Sequence, residues 1–144
     1  MLKSIDPIPS PDLLSILRSM GHGDEIVIAD ANFPAASMAQ RLIRPDGLTA
    51  TAVADAVLSV MPLDDFVAEA AWRMEVVGDP TTEQSIFDEF RRIIADREGT
   101  RFYLAALERF AFYERARNAF VIVATGETRL YGNIILKKGV VRLA

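Results

Sequence analysis

A single histidine, His22, occurs in the 144 residues, within Met20-Gly21-His22-Gly23-Asp24. Imidazole is the one side chain that gives and takes a proton near neutrality without help, its ordinary pKa being ~6.5. Proton-transfer chemistry therefore has His22 as its first candidate. The flanking glycines remove bulk, so a ligand can approach the ring and the backbone can turn freely. The same pattern also describes a glycine C-cap that contains a histidine. Asp30 closes an apolar run and needs a partner, water or a ligand. An Asx turn into Asn32-Phe33-Pro34 would satisfy it locally. Arg109 offers a fork of donors to oxygen-rich ligands, or an ion pair to a carboxylate. In Tyr131-Gly132-Asn133, Asn133 both donates and accepts while Tyr131 adds a flat apolar face and a phenol. A polar turn between strands accounts for the same residue types.

These residues need a scaffold, and the pattern predicts one that alternates helices and strands. Ser10 caps a first helix with Pro11 at its first position, and Leu13, Ile16, Leu17 and Met20 recur at helical spacing until Gly21. Glu25 to Asp30 reads as a strand covered on both faces. Asp46-Gly47 marks a turn, after which Val53, Ala56, Val57, Val60 and Met61 line a second helix that ends at Pro62. From Phe66 to Val76 apolar even positions alternate with charged odd ones, which predicts a strand with one polar face. Thr81 with Gln84 resembles a capping box before the stripe Ile86, Phe87, Phe90, Ile93 and Ile94, and Gly99 stops that helix. Phe102 to Leu107 reads as a strand followed by a helix from Arg109. Phe120 to Ala124 and Ile134 to Leu136 are two more strands. The expectation is one α/β domain over residues 1–144 with a mixed, largely parallel sheet flanked by helices. In such sheets sites gather at the carboxyl ends of strands, where Asp30 and residues 125–133 fall.

Composition narrows the chemistry. With no cysteine and one histidine, thiolate nucleophiles, disulfides and Cys- or multi-His metal sites are excluded. A net charge of −4, from 16 basic and 20 acidic residues spread along the chain, argues against a nucleic-acid partner. No glycine-rich dinucleotide or phosphate loop and no Gly-x-Ser-x-Gly elbow is present. No apolar run approaches the ~20 residues of a membrane span and the N-terminus lacks a secretory pattern, so a cytoplasmic location is expected. Apolar content of 51% and mean hydropathy of +0.19 are high for a small water-borne domain, which points to apolar surface shared between subunits of a homo-oligomer.

Four stretches taken together carry more. They are Met20-Gly21-His22-Gly23-Asp24-Glu25-Ile26, Asp30-Ala31-Asn32-Phe33-Pro34-Ala35, Arg109-Phe110-Ala111-Phe112-Tyr113-Glu114-Arg115-Ala116, and Tyr131-Gly132-Asn133-Ile134-Ile135-Leu136-Lys137-Lys138-Gly139-Val140. In this order they resemble the fucose mutarotase and ribose pyranase family along essentially the whole chain, and its L-fucose branch in particular. The resemblance implies a cofactor-independent isomerase of a reducing monosaccharide. It also implies a ring-shaped homo-oligomer, commonly a decamer, with sites near subunit contacts. By position it makes His22 the proton donor and Asp30, Arg109, Tyr131, Gly132 and Asn133 the sugar-binding residues, with Asp30 either orienting the imidazole or holding a sugar hydroxyl. Fucose-type members often carry histidines where this chain has Asn32 and Ala36. Opening and closing a hemiacetal asks for one proton delivered to the ring oxygen and one removed from the anomeric hydroxyl, to which positioned acid–base groups contribute ~10²–10⁴-fold. Ribose or another aldose as substrate, and a sugar-binding accessory protein that converts nothing, are the alternatives.

Overall fold

The computed structural model describes residues 1–144. The first helix begins as the sequence predicts, with the Ser10 hydroxyl accepting the Leu13 amide at 3.2 Å and Pro11 at the first helical position. Such a cap stabilises a helix by ~1 kcal/mol. The elements in chain order are α1 (Pro11–Ser19), β1 (Glu25–Ala29), α2 (Ala35–Met38), β2 (Leu42–Ile43), α3 (Ala50–Leu58), β3 (Ala71–Met74), α4 (Ser85–Glu98), β4 (Ala105–Leu107), α5 (Arg109–Asn118), β5 (Val121–Ala124) and β6 (Ile134–Lys137). The six strands form one sheet in the order β2-β5-β1-β6-β3-β4. Only β6 runs against its neighbours, β1 and β3, and every other pairing is parallel.

Parallel strands require crossovers, and crossover helices cover both faces of the sheet. Ile26 and Ile28 of β1, Val121 and Val123 of β5, and Ile134 and Leu136 of β6 pack on one side against Leu13, Leu17, Val53, Val57, Phe87 and Phe90 of α1, α3 and α4. The alternate residues Val27, Ala29, Ile122, Ala124 and Ile135 pack on the other against Ala35 of α2 and Phe112 and Ala116 of α5. Burial on both faces is why these strands are unbroken apolar runs, each fully buried Ile, Val or Phe side chain contributing ~1.5–3 kcal/mol.

The same burial corrects the expectation for residues 66–76. The strand there is only Ala71–Met74, all four residues are buried, and Phe66 stands 64% exposed in a loop. Arg73, placed by alternation on a polar face, is instead buried with its guanidinium 4.2 Å above the Phe87 ring. The helix expected to reach Pro62 ends at Leu58. No capping box forms at Thr81, because Thr82 bonds to Asp79 and α4 starts after Gln84, whose side chain caps nothing. The two-residue β2 and one-turn α2 carry too little periodicity to be visible in sequence.

Candidate active site

The loops that leave β1, β3 and β4 meet the start of β6 at one end of the sheet, around a pocket of about 240 Å³. Asp30, Asn32, Phe33, Arg109, Tyr131 and Asn133 line it, with Met74, Val77, Tyr113 and Leu130. Asp30, 5% exposed, forms the expected Asx turn through Oδ1, which accepts the Asn32 amide at 2.9 Å. Its Oδ2 accepts from Asn133 Nδ2 at 3.0 Å, while its own amide donates to Asn133 Oδ1 at 2.8 Å. Burial pushes the Asp30 carboxyl above the usual aspartate range, against the opposing pull of the Asn32 amide, the Asn133 side chain and the Gly132 and Phe33 amides. The Asx turn and a place in the pocket lining therefore coexist at Asp30.

Tyr131 holds a left-handed backbone with φ of 61°, a conformation that costs a non-glycine residue ~1–3 kcal/mol and persists only where the surroundings enforce it. Its phenol oxygen accepts the Val77 amide at 3.0 Å and its ring packs on both core clusters. Gly132 follows as a spacer. A Cβ there would lie 2.8 Å from Glu127 Cγ and 3.1 Å from Ile86 Cδ1, so its contribution is the close passage of the backbone. Glu127 is itself fixed by Arg129 and by the first amide of α3, Ala50.

Arg109 is the first residue of α5, whose N-cap Glu108 accepts the Phe110 and Ala111 amides at 2.9 and 3.1 Å. It makes no ion pair, which sets aside the carboxylate alternative raised by the sequence. Its Nε donates to the Tyr113 hydroxyl at 3.3 Å, leaving the rest of the guanidinium free at the pocket mouth. Tyr113 and Phe33 are pocket residues that sequence reasoning missed. The i,i+4 spacing of Arg109 and Tyr113 on one helix was the available signal for the first. Asn32 also sits at the mouth, whereas Ala36 is exposed on α2 and lines no part of the pocket.

His22 is not with them. It precedes the amino end of β1 while Asp30 follows the carboxyl end, and five extended residues place these ends ~16 Å apart. The turn is formed by the Asp24 amide donating to the Gly21 carbonyl at 3.2 Å, with Gly23 at φ of 88°. His22 Nε2 lies 2.9 Å from Asp64 Oδ1, so the carboxylate that meets the imidazole within the chain is Asp64 and not Asp30. The His22 side chain is 44% exposed and that of Asp64 3%. No group of three or more His, Cys, Asp or Glu side chains converges as metal ligands would, and no helix is long and apolar enough to cross a membrane.

A small pocket of largely apolar lining, into which a few polar side chains converge, at the carboxyl ends of strands of a doubly covered sheet is the form of a small-ligand site of the α/β type. Residues 3–141 match the RbsD / FucU transport protein family, and the chain belongs to that family. It is 48% identical to the fucose mutarotase of Homo sapiens over 99% of this chain and 96% of that protein. It is 41% identical to the L-fucose mutarotase of Histophilus somni, with 97% of each covered. The crystal structure of the fucose mutarotase from Streptococcus pneumoniae in complex with L-fucose superposes with a TM-score of 0.90 at 48% identity, covering 98% of this chain and all of that one.

Proposed function

We propose that the chain is a cofactor-independent mutarotase that interconverts the α and β anomers of a reducing monosaccharide, L-fucose foremost. The observation that carries this reading is the pocket presenting Asp30, Arg109 and Asn133, in a chain 48% identical along its length to a fucose mutarotase. Ring opening breaks the bond between C1 and the ring oxygen. The ring oxygen gains a proton, the anomeric hydroxyl loses one and C1 becomes a carbonyl. Rotation about C1–C2 and the reverse transfers close the ring on the other carbonyl face. His22 supplies the proton to the ring oxygen. Asp30 and Arg109 hold sugar hydroxyls, Tyr131 covers the C–H face, and the anomeric proton leaves to Tyr131 or Asp30.

Since His22 lies at the far end of β1, this chemistry needs His22 from a second copy. Beside His22, Phe66 and Val67 are 64% and 41% exposed, and around the pocket mouth Val77, Phe110 and Leu130 are 57%, 68% and 65% exposed. One apolar patch on each end of the sheet suits a head-to-tail contact, which closes into a ring when repeated. That supports the ring-shaped homo-oligomer, commonly a decamer, that the family resemblance implies. A cytoplasmic catalyst acting on free sugar accords with this reading.

The separation of His22 from the pocket also favours a competing reading, a protein that binds the sugar without converting it. Saturation-transfer NMR between the anomers of L-fucose separates the two. Exchange well above the buffer rate is expected. Ligand binding with exchange held at the buffer rate would overturn the mutarotase reading.

A further inference from the structure

Beside the sugar pocket lies a second cavity of about 260 Å³, between the loop that follows β3 and the first turn of α5. Val77 and Arg109 line both, so the two spaces are neighbours with the guanidinium between them. Arg109 stands 5.4 Å from the centroid of the Tyr113 ring and 5.2 Å from that of Phe110. Tyr113 lines only the sugar pocket and Phe110 only the second cavity, which makes Arg109 a partition with an aromatic ring on each side. Neither space alone reaches the ~300 Å³ at which small-molecule sites ordinarily begin, whereas the two together do.

The walls of the second cavity combine apolar surface with free acceptors. Phe110, Val76 and Pro80 offer that surface to the C–H groups of a ligand. Glu108 uses Oε2 on the Phe110 and Ala111 amides, which leaves Oε1 without a partner, and the Glu75 carboxylate makes no hydrogen bond or ion pair within the chain. Carboxylate oxygens only accept, so they suit a ligand rich in hydroxyl groups. Two unpaired carboxylates beside one guanidinium disfavour a phosphate or a uronic acid, which directs the site to neutral or amino sugars. The wall is also held in place. The Glu75 amide donates to the Leu107 carbonyl at 2.8 Å and the Val77 amide to the Tyr131 phenol at 3.0 Å, tying the loop both to β4 and to the turn of the sugar pocket. Apart from Arg109, none of these side chains takes part in the ring-opening steps above.

We propose that this cavity is a second saccharide subsite, and that the substrate class extends from free L-fucose to reducing disaccharides with L-fucose at the reducing end. The inference rests on the mutarotase reading. The reacting bond is the same: C1 and the ring oxygen part and rejoin in the reducing residue, and the glycosidic bond stays intact. Across the pyranose ring from C1 stand the hydroxyl groups of C3 and C4. With C1 turned to the incoming His22, a substituent at either position leaves past Arg109 for the neighbouring space. Val77 and Phe110 also belong to the head-to-tail contact proposed above, and a partner seated on them would cover the groove while Gly78 and Pro80, both exposed, keep its outer end open.

Saturation transfer between the anomeric protons of the reducing residue measures exchange in the whole assembled protein. The probes are L-fucose carrying β-D-galactose on its C3 or its C4 hydroxyl, with L-fucose itself as reference. At least one disaccharide is expected to exchange well above its buffer rate. Val76→Trp, which fills the second cavity and lies outside the sugar pocket, should cut kcat/KM for that disaccharide about tenfold or more relative to L-fucose. If L-fucose exchanges and both disaccharides stay at the buffer rate, the subsite falls while the mutarotase reading stands. If L-fucose also stays at the buffer rate, that reading fails and takes this inference with it. A disaccharide that exchanges equally well in wild type and Val76→Trp carries its second residue elsewhere, which overturns the subsite. Should Val76→Trp not fold, Glu75→Gln decides, since it keeps the shape and removes the charge of an acceptor. A fall of about tenfold in the disaccharide-to-fucose ratio is then expected, and an unchanged ratio overturns the proposal.

Discussion

Asn133 holds Asp30 at two points, its carbonyl oxygen on the backbone amide and its amino group on the carboxyl. An asparagine so engaged presents a carboxylate before it contacts any ligand directly. Asn133→Ala would leave a buried amide and a buried carboxyl oxygen without partners, each worth ~1–3 kcal/mol when orphaned. The variant should unfold at lower urea concentration with unchanged m, and should bind L-fucose more weakly because Asp30 is no longer aimed. An unaltered unfolding midpoint would show that water replaces the amide without cost.

Arg109 offers the reverse balance. It is exposed, caps nothing and makes no ion pair, so Arg109→Met should shift stability by no more than ~0.5 kcal/mol. Its free donors face the pocket, and losing a charged hydrogen-bond donor to the sugar, worth ~1.5–3 kcal/mol, should weaken L-fucose binding by tenfold or more. Calorimetric titration beside a urea melt checks both halves. Equal affinity in the variant would mean that the guanidinium serves Tyr113 rather than the ligand.

The sequence made α1, α3, α4 and α5, the central apolar strands and five pocket-end residues legible, because both-face burial and strand ends leave strong local marks. Asp30, Arg109, Tyr131, Gly132 and Asn133 do converge. The partner of His22 was not legible. Asp64 reaches it through a strand extension that joins loops far apart in the chain, and no periodicity encodes such a pairing. The alternation at residues 66–76 misled for a related reason. It presumes one wet face, whereas β3 is covered on both, and its charged positions are absorbed by an aromatic face at Arg73 and by Trp72 and Tyr103 at Glu69.

Acid should unfold the protein partly through Glu127. Its side chain, 3% exposed, accepts two bonds of 3.0 Å from Arg129 and one of 3.3 Å from the Ala50 amide. The Arg129 hydrogen bonds lead in holding its carboxyl below the usual glutamate range. A carboxyl depressed in the folded state takes its proton later than in the unfolded chain. Its stabilisation is therefore complete above the unfolded value, ~4.3, and drains away as pH falls through the lower folded one. Asp64 acts in the same direction, while Asp30, raised by burial, acts in the opposite one. Glu127→Gln should lower stability at pH 7 and flatten the acid limb. Urea midpoints between pH 7 and pH 3 that fall equally steeply in both proteins would assign the limb to other carboxyls.

The Tyr131-Gly132-Asn133 turn gives the sharpest separation between binding and folding. Tyr131 is kept at φ of 61° by its phenol on the Val77 amide and by close passage of the next residue over Glu127 and Ile86. In Gly132→Ala the tip of Ile86 can rotate away, but Glu127 Cγ cannot, since Arg129 and Ala50 hold the carboxylate beyond it. The backbone must yield instead, at the ~1–3 kcal/mol typical of overpacking, and carry Asn133 and hence Asp30 out of register. L-Fucose affinity should drop at least tenfold with that loss of stability. Gly47→Ala is the matched control, because its Cβ meets nothing within 4 Å, and it should change neither quantity. If both variants bind the sugar equally well, the turn does not set the position of Asp30, and the geometry of the pocket must be carried by the Asx turn at Asn32 alone.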